Sequence, residues 1–123
     1  MTRALLLCAL LLPACGDETT CSDAEVTAAC GFDLDSKGAC LDEGGCWGIW
    51  GLAPEPSCNC PTTDAGAACT GDSACEGLCI HQEYEDDGTC TQVAEGACSD
   101  MQQVFGCFCA WEDGAGWLEI CAD

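Results

Sequence analysis

Basic side chains are nearly absent from this sequence. Lys and Arg number 2 against 22 Asp and Glu, which gives a formal net charge of -20, and there is 1 His. Nucleic acids and anionic lipid headgroups are held by basic patches, so the composition excludes both as electrostatic partners. It leaves cations and basic proteins as the partners that the charge favours.

Long hydrophobic runs are absent as well. The apolar run from Ala4 to Leu12 covers about nine residues, whereas a membrane-spanning helix needs ~20. Arg3 precedes this run and small residues follow it, which is the order found in a cleaved signal peptide. Residues 1–14 are therefore predicted to be a signal peptide rather than a membrane helix.

The end of this run, Leu12-Pro13-Ala14-Cys15, resembles the lipobox of bacterial lipoproteins. The resemblance implies that the Cys15 thiol receives a diacylglycerol, that cleavage occurs before Cys15, and that the new amine is usually acylated. Two or more acyl chains hold a protein stably on a membrane, and residues 15–20 would be the lipidated end and tether. The implied location is the cell envelope, periplasmic or at the cell surface. The alternative is an ordinary secretory signal that is cut near Ala14.

The C-x2-C spacing is missing, although the chain has 16 cysteines. This absence argues against structural zinc and against thioredoxin-like redox chemistry. After Cys8 and Cys15 are set aside, an even number remains, at a density typical of exported disulfide scaffolds. We expect a small disulfide-rich fold of short β-hairpins and one or two short helices, stapled by about seven disulfides. The cysteines concerned are Cys21, Cys30, Cys40, Cys46, Cys58, Cys60, Cys69, Cys75, Cys79, Cys90, Cys98, Cys107, Cys109 and Cys121.

The cysteines fall into two similar series, each with one C-x-C near its end, which suggests two modules, 21–69 and 70–123. Each series resembles the spacing of epidermal-growth-factor-like modules. That resemblance implies the pairs Cys30–Cys46, Cys40–Cys58, Cys60–Cys69, Cys79–Cys98, Cys90–Cys107 and Cys109–Cys121, with Cys21 and Cys75 left to pair. A rival resemblance, from Cys69 to Cys90, is to the N-terminal cysteine-rich region of Dickkopf proteins.

Regular secondary structure is expected to be sparse. A capping box at Ser22 predicts a short helix that ends at Gly31, and a similar signal at Ser99 predicts a second one that ends at Gly106. A second repeat register, which aligns Cys21 with Cys98, follows from this similarity. Short strands are predicted at Gly45–Ile49, Ser57–Cys60, Cys107–Trp111 and Trp117–Cys121. In a strand, Cys58 and Cys60 share a face, so each should bond elsewhere.

Two acidic segments are candidates for weak calcium binding. Residues 33–38 begin like an EF-hand loop, with Asp33 and Asp35 at positions 1 and 3, but position 5 is Lys37 and position 12 is Gly44. Residues 83–88 form a denser acidic turn whose candidate ligands are Glu83, Glu85, Asp86 and Asp87. The alternative for both segments is turn chemistry, which Asp and Gly favour without a metal. No cofactor is otherwise predicted.

Catalysis has little support. His81 lacks a recognisable nucleophile motif around Ser73 or Ser99, and we interpret it as a loop residue that faces solvent. The paired carboxylates are interpreted as an acidic face rather than as a glycosidase pair. Two pairs of tryptophans, Trp47 with Trp50 and Trp111 with Trp117, can form a small core or a ligand contact.

The expected function is that of a non-catalytic binding module, attached to the membrane through Cys15, with a protein, peptide or glycan as ligand. The chief alternative is a surface-held hydrolase inhibitor that presents a rigid loop near Ile80 to Thr89. A small enzyme would need a cleft that joins His81 to carboxylates or a hydroxyl.

Overall fold

The computed structural model describes residues 19–22, 30, 34–71 and 74–123. Several predicted features lie outside these residues: the signal peptide 1–14, the lipidation site Cys15, most of the helix predicted after Ser22, and the calcium candidate Asp33. Among the described helices, none is long and apolar enough to cross a membrane.

Two antiparallel sheets form the fold. The first contains β1 (Thr20–Cys21), β2 (Cys46–Gly48) and β3 (Ser57–Asn59) in the order β1-β2-β3, and the helix α1 (Lys37–Asp42) precedes β2. The second sheet has the order β4-β6-β5-β7-β8. Its strands are β4 (Ala68–Cys69), β5 (Cys79–His81), β6 (Gly96–Cys98), β7 (Gly106–Glu112) and β8 (Gly116–Ala122).

The four predicted strands are confirmed as β2, β3, β7 and β8, to within one residue at each end. The prediction for the C-x-C of β3 is confirmed too, because Cys58 bonds Cys40 and Cys60 bonds Cys30. The strands that sequence reasoning missed, β1, β4, β5 and β6, are only two or three residues long. β2 and β3 are also only three residues long, so length alone does not distinguish the missed strands from the predicted ones.

The helix predicted at Ser99 is wrong. The Ser99 side chain is buried, and its oxygen accepts from the Leu78 backbone N–H at 2.9 Å instead of capping a helix. The same hydroxyl donates to the Met101 carbonyl at 2.8 Å, and Met101 forms a β-bridge with Pro61. Tertiary hydrogen bonds have therefore replaced the local capping interaction.

The helix that does form, α1, begins after Ser36, whose hydroxyl oxygen accepts from the Ala39 N–H at 3.2 Å. The acidic segment that resembled an EF-hand loop therefore runs directly into a helix at Lys37. A calcium loop would continue as an irregular loop through these positions, so the partial resemblance does not extend to the backbone. Asp35 lies next to the helix cap.

The predicted fold class is confirmed: seven disulfides staple short strands and one short helix. They are Cys21–Cys46, Cys30–Cys60, Cys40–Cys58, Cys69–Cys79, Cys75–Cys98, Cys90–Cys109 and Cys107–Cys121. Of the pairs that the growth-factor resemblance implied, only Cys40–Cys58 is present, and the others are wrong. One physical reason is strand register: Cys46 lies directly opposite Cys21, and Cys121 lies directly opposite Cys107. The two cysteine series do not share a bonding pattern.

The disulfides are divided between the two sheets. Three of them lie within residues 21–60 and four within residues 69–121, so no described disulfide joins the halves. Cys69, which the sequence interpretation placed at the end of the first module, lies in β4 of the second sheet. The segment between Asn59 and Ala68 therefore connects the two sheets along the chain.

Hydrogen bonds hold the halves together. Asn59 is 1% exposed, and its side-chain amide donates to the Gln103 carbonyl at 2.9 Å while its oxygen accepts from the Gln103 N–H at 3.1 Å. The Thr62 N–H donates to Asp100 at 2.9 Å, and the Gln102 N–H donates to Cys60 at 2.8 Å. We call these contacts the sheet junction.

Sulfur and tryptophan make up most of the core. One cluster contains Cys30, Cys40, Cys58 and Cys60, with Leu34 and Trp47 against it. The other contains Cys90, Cys109 and Trp117, with Cys79 and Val93 against it. Because large aliphatic side chains are few in these clusters, cross-linking replaces much of the packing that a larger domain would use.

Candidate binding surface

The β7–β8 hairpin of the second sheet has two faces that differ in composition. Directly opposed residues share a face, and Phe108 is opposite Ile120 while Ala110 is opposite Leu118. The other face carries Cys109 and Trp117, which belong to the sulfur-rich core. One face of the hairpin is therefore apolar without being covered by that core.

An apolar cleft of about 510 Å³ lies on this uncovered face. Phe108 and Ala110 are buried at its floor, whereas Leu78, Trp111 and Ile120 are 40%, 39% and 44% exposed. The apolar cleft is lined by Leu78, Gln102, Gln103, Val104, Phe105, Phe108, Ala110, Trp111, Ile120 and Ala122. Its volume falls within the range of small-ligand and peptide pockets.

One end of the apolar cleft is supported from the first half, although every residue that lines the cleft lies between Leu78 and Ala122. Phe105 stacks on Trp50 of the first half with ring centroids 6.3 Å apart. Trp50 is fixed in turn by its indole N–H, which donates to the Ser57 carbonyl at 2.9 Å. At the other end, the indole of Trp111 packs on Gly71, where any side chain would overlap the ring. These contacts fix Phe105 and Trp111, two of the three aromatic residues that line the cleft.

A second depression, of about 620 Å³, lies beside the outer edge of β8. We call it the edge groove, and its walls are Glu85 and Gly88 to Gln92 on one side and Trp117 to Glu119 on the other. The Glu119 carboxylate accepts a hydrogen bond from Tyr84, and partial removal from water together with this charge raises the pKa of Tyr84. The edge groove is thus lined by two acidic residues, Glu85 and Glu119.

His81 lies in β5 rather than in a loop, which corrects the interpretation from the sequence. Its ring contacts the buried Trp117 edge to face, with centroids 4.5 Å apart, and its Nδ1 accepts from the Glu83 N–H at 3.0 Å. Its Nε2 is buried and has no hydrogen-bond partner among the described residues. The imidazole thus packs on the core, and the contacts that it makes give it no nucleophile to activate.

The acidic segment 83–88 forms a hairpin turn. The Gly88 N–H donates to the Glu85 carbonyl at 2.9 Å, and Gly88 has a φ of 84°, which favours glycine. Asp87 accepts from the N–H and the hydroxyl of Thr89, and these hydrogen bonds lower the pKa of Asp87. Among the described residues, every three-ligand cluster contains disulfide-bonded cysteines, so the calcium candidates do not converge.

The tryptophans have two roles: some pack in the core, and others provide exposed surface for contact. Trp117 is 1% exposed, and its indole N–H donates to the Val93 carbonyl at 2.8 Å. Trp47 packs against the sulfur cluster of the first half. Trp111 directly opposes Trp117 and packs edge to face on its ring, with centroids 5.6 Å apart, while its exposed part borders the apolar cleft. Sequence reasoning named both roles, but it did not find Leu78, Phe105 or Ile120. The alternation of Leu118 and Ile120 with polar neighbours was the available signal.

Comparisons with known proteins find no match: no family model, no curated protein and no solved structure is similar to this chain.

Proposed function

We propose that this chain is a non-catalytic binding module of the bacterial cell envelope, held on a membrane by acyl chains on Cys15. Its apolar cleft receives a side chain or short segment of a partner. Seven disulfides support an oxidising compartment, because such bonds persist mainly outside the cytoplasm. The lipobox-like sequence supports the anchor.

The observation that carries this proposal is the exposed apolar cleft itself. Buried apolar side chains are scarce in this chain, so leaving Leu78, Trp111 and Ile120 in water forgoes stabilisation that the core could have used. Contiguous exposed apolar surface on a soluble domain marks interaction sites. A concave shape distinguishes it from scattered surface leucines, such as Leu52.

The test is a peptide-display selection against the oxidised domain, followed by binding measurements with two leucine variants. Leu78→Lys places a charge in the apolar cleft, whereas Leu52→Lys makes the same change at a residue that is 80% exposed and outside the cleft. We expect selected peptides to lose about tenfold or more in affinity for Leu78→Lys and to keep their affinity for Leu52→Lys. Equal effects of the two variants, or no enrichment of binders, would contradict the proposed function.

The anchor is tested separately by intact-mass analysis and peptide mapping without reduction. We expect a mature chain that begins at Cys15 and carries diacylglycerol, and a Cys15→Ala variant that is released from membranes, because the acyl chains provide the attachment. A chain that retains residues 1–14, or a Cys15→Ala protein that still sediments with membranes, would contradict the anchor.

A second candidate function, hydrolase inhibition, is favoured by the order of the hairpin between Tyr84 and Cys90. A β-bridge joins these two residues, and the Glu85 N–H donates to Thr89 at 2.8 Å. A rigid loop loses little entropy when it enters a protease cleft. Mixing the purified domain with a panel of proteases tests this role, and it predicts loss of activity with an intact Tyr84–Cys90 loop.

A further inference from the structure

The outer edge of β8 carries unpaired backbone groups. Cys107 and Cys121 are directly opposed with their Cα atoms 4.0 Å apart, a distance typical of a non-hydrogen-bonded pair. In an antiparallel ladder such pairs alternate with hydrogen-bonded ones. The backbone groups of Trp117, Glu119 and Cys121 therefore point away from β7, toward the outer edge.

The contacts of Trp117 support this assignment independently. Its backbone N–H donates to the Gln92 side-chain oxygen at 3.0 Å, and its carbonyl accepts from the Gln92 amide at 2.9 Å. The Gln92 side chain thus makes the two hydrogen bonds to Trp117 that the backbone of a neighbouring strand would make. Among the described residues, no hydrogen bond is formed by the outward backbone groups of Glu119 and Cys121, and β8 pairs only with β7.

An open edge of this kind is a template for another strand. The edge groove beside it has a volume of about 620 Å³, which leaves room for an extended segment. Along β8, Leu118 and Ile120 face the side of the apolar cleft, whereas Glu119 faces the opposite side. An added strand would continue both faces, with its side chains alternating between them.

The negative charge of this chain determines which kind of segment can bind at the β8 edge. A second copy of this chain would bring a net charge of -20 and another Glu119 to the edge, and like charges repel there. A basic segment would instead place its cations beside Glu119 and near Glu85. The opposite face of the same segment would lie beside Leu118 and Ile120, which favours apolar residues at the alternate positions.

We infer that β8 accepts an extended segment of a partner protein in which basic and apolar residues alternate, and that this segment adds antiparallel to β8 as a sixth strand of the second sheet. This inference rests on the proposed function and names its partner class. Residues directly opposed in the new ladder share a face, so the basic residues oppose Glu119 and Cys121. Their N–H groups therefore point at β8, and those of the apolar residues point away.

The probe is the synthetic peptide acetyl-KVKVKVK-amide, compared with two methylated forms. N-methylation of three Lys nitrogens blocks the hydrogen bonds to β8, whereas N-methylation of the three Val nitrogens leaves them intact. We expect the Lys-methylated peptide to bind about tenfold or more weakly than the Val-methylated one, because the hydrogen bonds to the Glu119 and Cys121 carbonyls are lost. The block isomer acetyl-VVVKKKK-amide has the same charge and should also bind about tenfold or more weakly.

Two variants locate the site. Glu119→Pro removes the outward N–H and the carboxylate, and proline is tolerated at an edge strand whose N–H faces solvent. Glu119→Gln removes the charge alone. We expect Glu119→Pro to abolish binding and Glu119→Gln to weaken it about two- to fivefold. Hydrogen exchange should show new protection of the Glu119 and Cys121 amides when the unmethylated peptide is bound.

Equal binding of the two methylated peptides, or equal binding of the block isomer, would overturn strand addition. So would peptide binding that shifts the signals of Leu78 and Phe105 but leaves the Glu119 and Cys121 amides unprotected, although the proposed function of the apolar cleft would then stand. Absence of binding would also overturn this inference, whereas the display selection with Leu78→Lys decides the proposed function separately. If Glu119→Pro does not fold, the comparison of the Lys-methylated and Val-methylated peptides still tests strand addition.

Discussion

At the scale of single residues, Tyr84 and Glu119 form the clearest electrostatic pair on this acidic surface. Partial removal from water raises the pKa of the phenol, and the nearby carboxylate raises it further by its charge and by accepting a hydrogen bond from the hydroxyl. A raised folded-state pKa means that the contribution to stability is complete below the unfolded value near ~10. It is lost as the pH rises through the folded-state pKa.

This pair gives a direct prediction, because Tyr84 is the only tyrosine. Its ultraviolet titration reports one group. We expect the pKa of Tyr84 to lie above its usual value and to fall part of the way back in Glu119→Gln, where desolvation remains but the negative charge is lost. Glu85→Gln is the matched control, since Glu85 does not contribute to the shift. A titration that is the same in Glu119→Gln and wild type would contradict the assigned pair.

Residue-level reasoning from the sequence succeeded where covalent chemistry dominates and failed where tertiary contacts decide. The density of cysteines was enough to predict seven disulfides. Ser99 and Ser22 have similar flanking residues, but Ser99 is buried and its hydroxyl binds Leu78, 21 positions away in the chain. No local pattern contains that contact. His81 was misplaced for the same reason, because its environment is set by Trp117 from another strand.

At the scale of elements, the two disulfides of β7 perform different tasks. Cys107–Cys121 is exposed and joins directly opposed residues of one hairpin, whereas Cys90–Cys109 is buried against Trp117. Their sequence separations are 14 and 19 residues. In the chain-entropy model, loops of these lengths stabilise by nearly the same amount, about 3 kcal/mol.

A matched pair of variants therefore separates entropy from packing. We expect Cys107→Ala with Cys121→Ala to lower the free energy of unfolding by about 3 kcal/mol. We expect Cys90→Ala with Cys109→Ala to lower it by roughly 2 kcal/mol more, because the core also loses buried sulfur and gains a cavity beside Trp117. Urea denaturation of the oxidised proteins measures both. Equal losses would show that the buried bridge acts only as a cross-link.

Element boundaries also show what the sequence could supply. Each of β2, β3, β7 and β8 contains a tryptophan or a cysteine of a C-x-C pair, so these strands were predictable. Their partners in space were not, because strand order depends on which two- or three-residue strands, such as β4 and β6, come together. The pairing of cysteines follows that order. The count of cysteines therefore gave the number of bridges, whereas the growth-factor resemblance in their spacing gave only one correct pair, Cys40–Cys58.

At the scale of the whole molecule, the two halves are separately cross-linked and joined by the sheet junction. Asn59 supplies the side chain at its centre, pairing with the backbone of Gln103 and also accepting from the Cys60 N–H at 2.9 Å. The Thr62 hydroxyl adds a bond to the Ser99 carbonyl at 2.5 Å. Because disulfides act only within each half, the junction is the part that noncovalent bonds alone maintain.

Asn59→Ala should therefore loosen the junction without unfolding either sheet. It leaves the Gln103 N–H, the Gln103 carbonyl and the Cys60 N–H without their partner, at about 1–3 kcal/mol for each group that stays buried. We expect hydrogen exchange to accelerate at Thr62, Gln102 and Gln103, while amides of β2 and β8 keep their protection. Gln103→Ala is the control, since its backbone makes the bonds to Asn59 and its exposed side chain does not. If β2 and β8 lose protection together with the junction in Asn59→Ala, the two cross-linked halves are one cooperative unit, and the division by disulfides has no thermodynamic consequence.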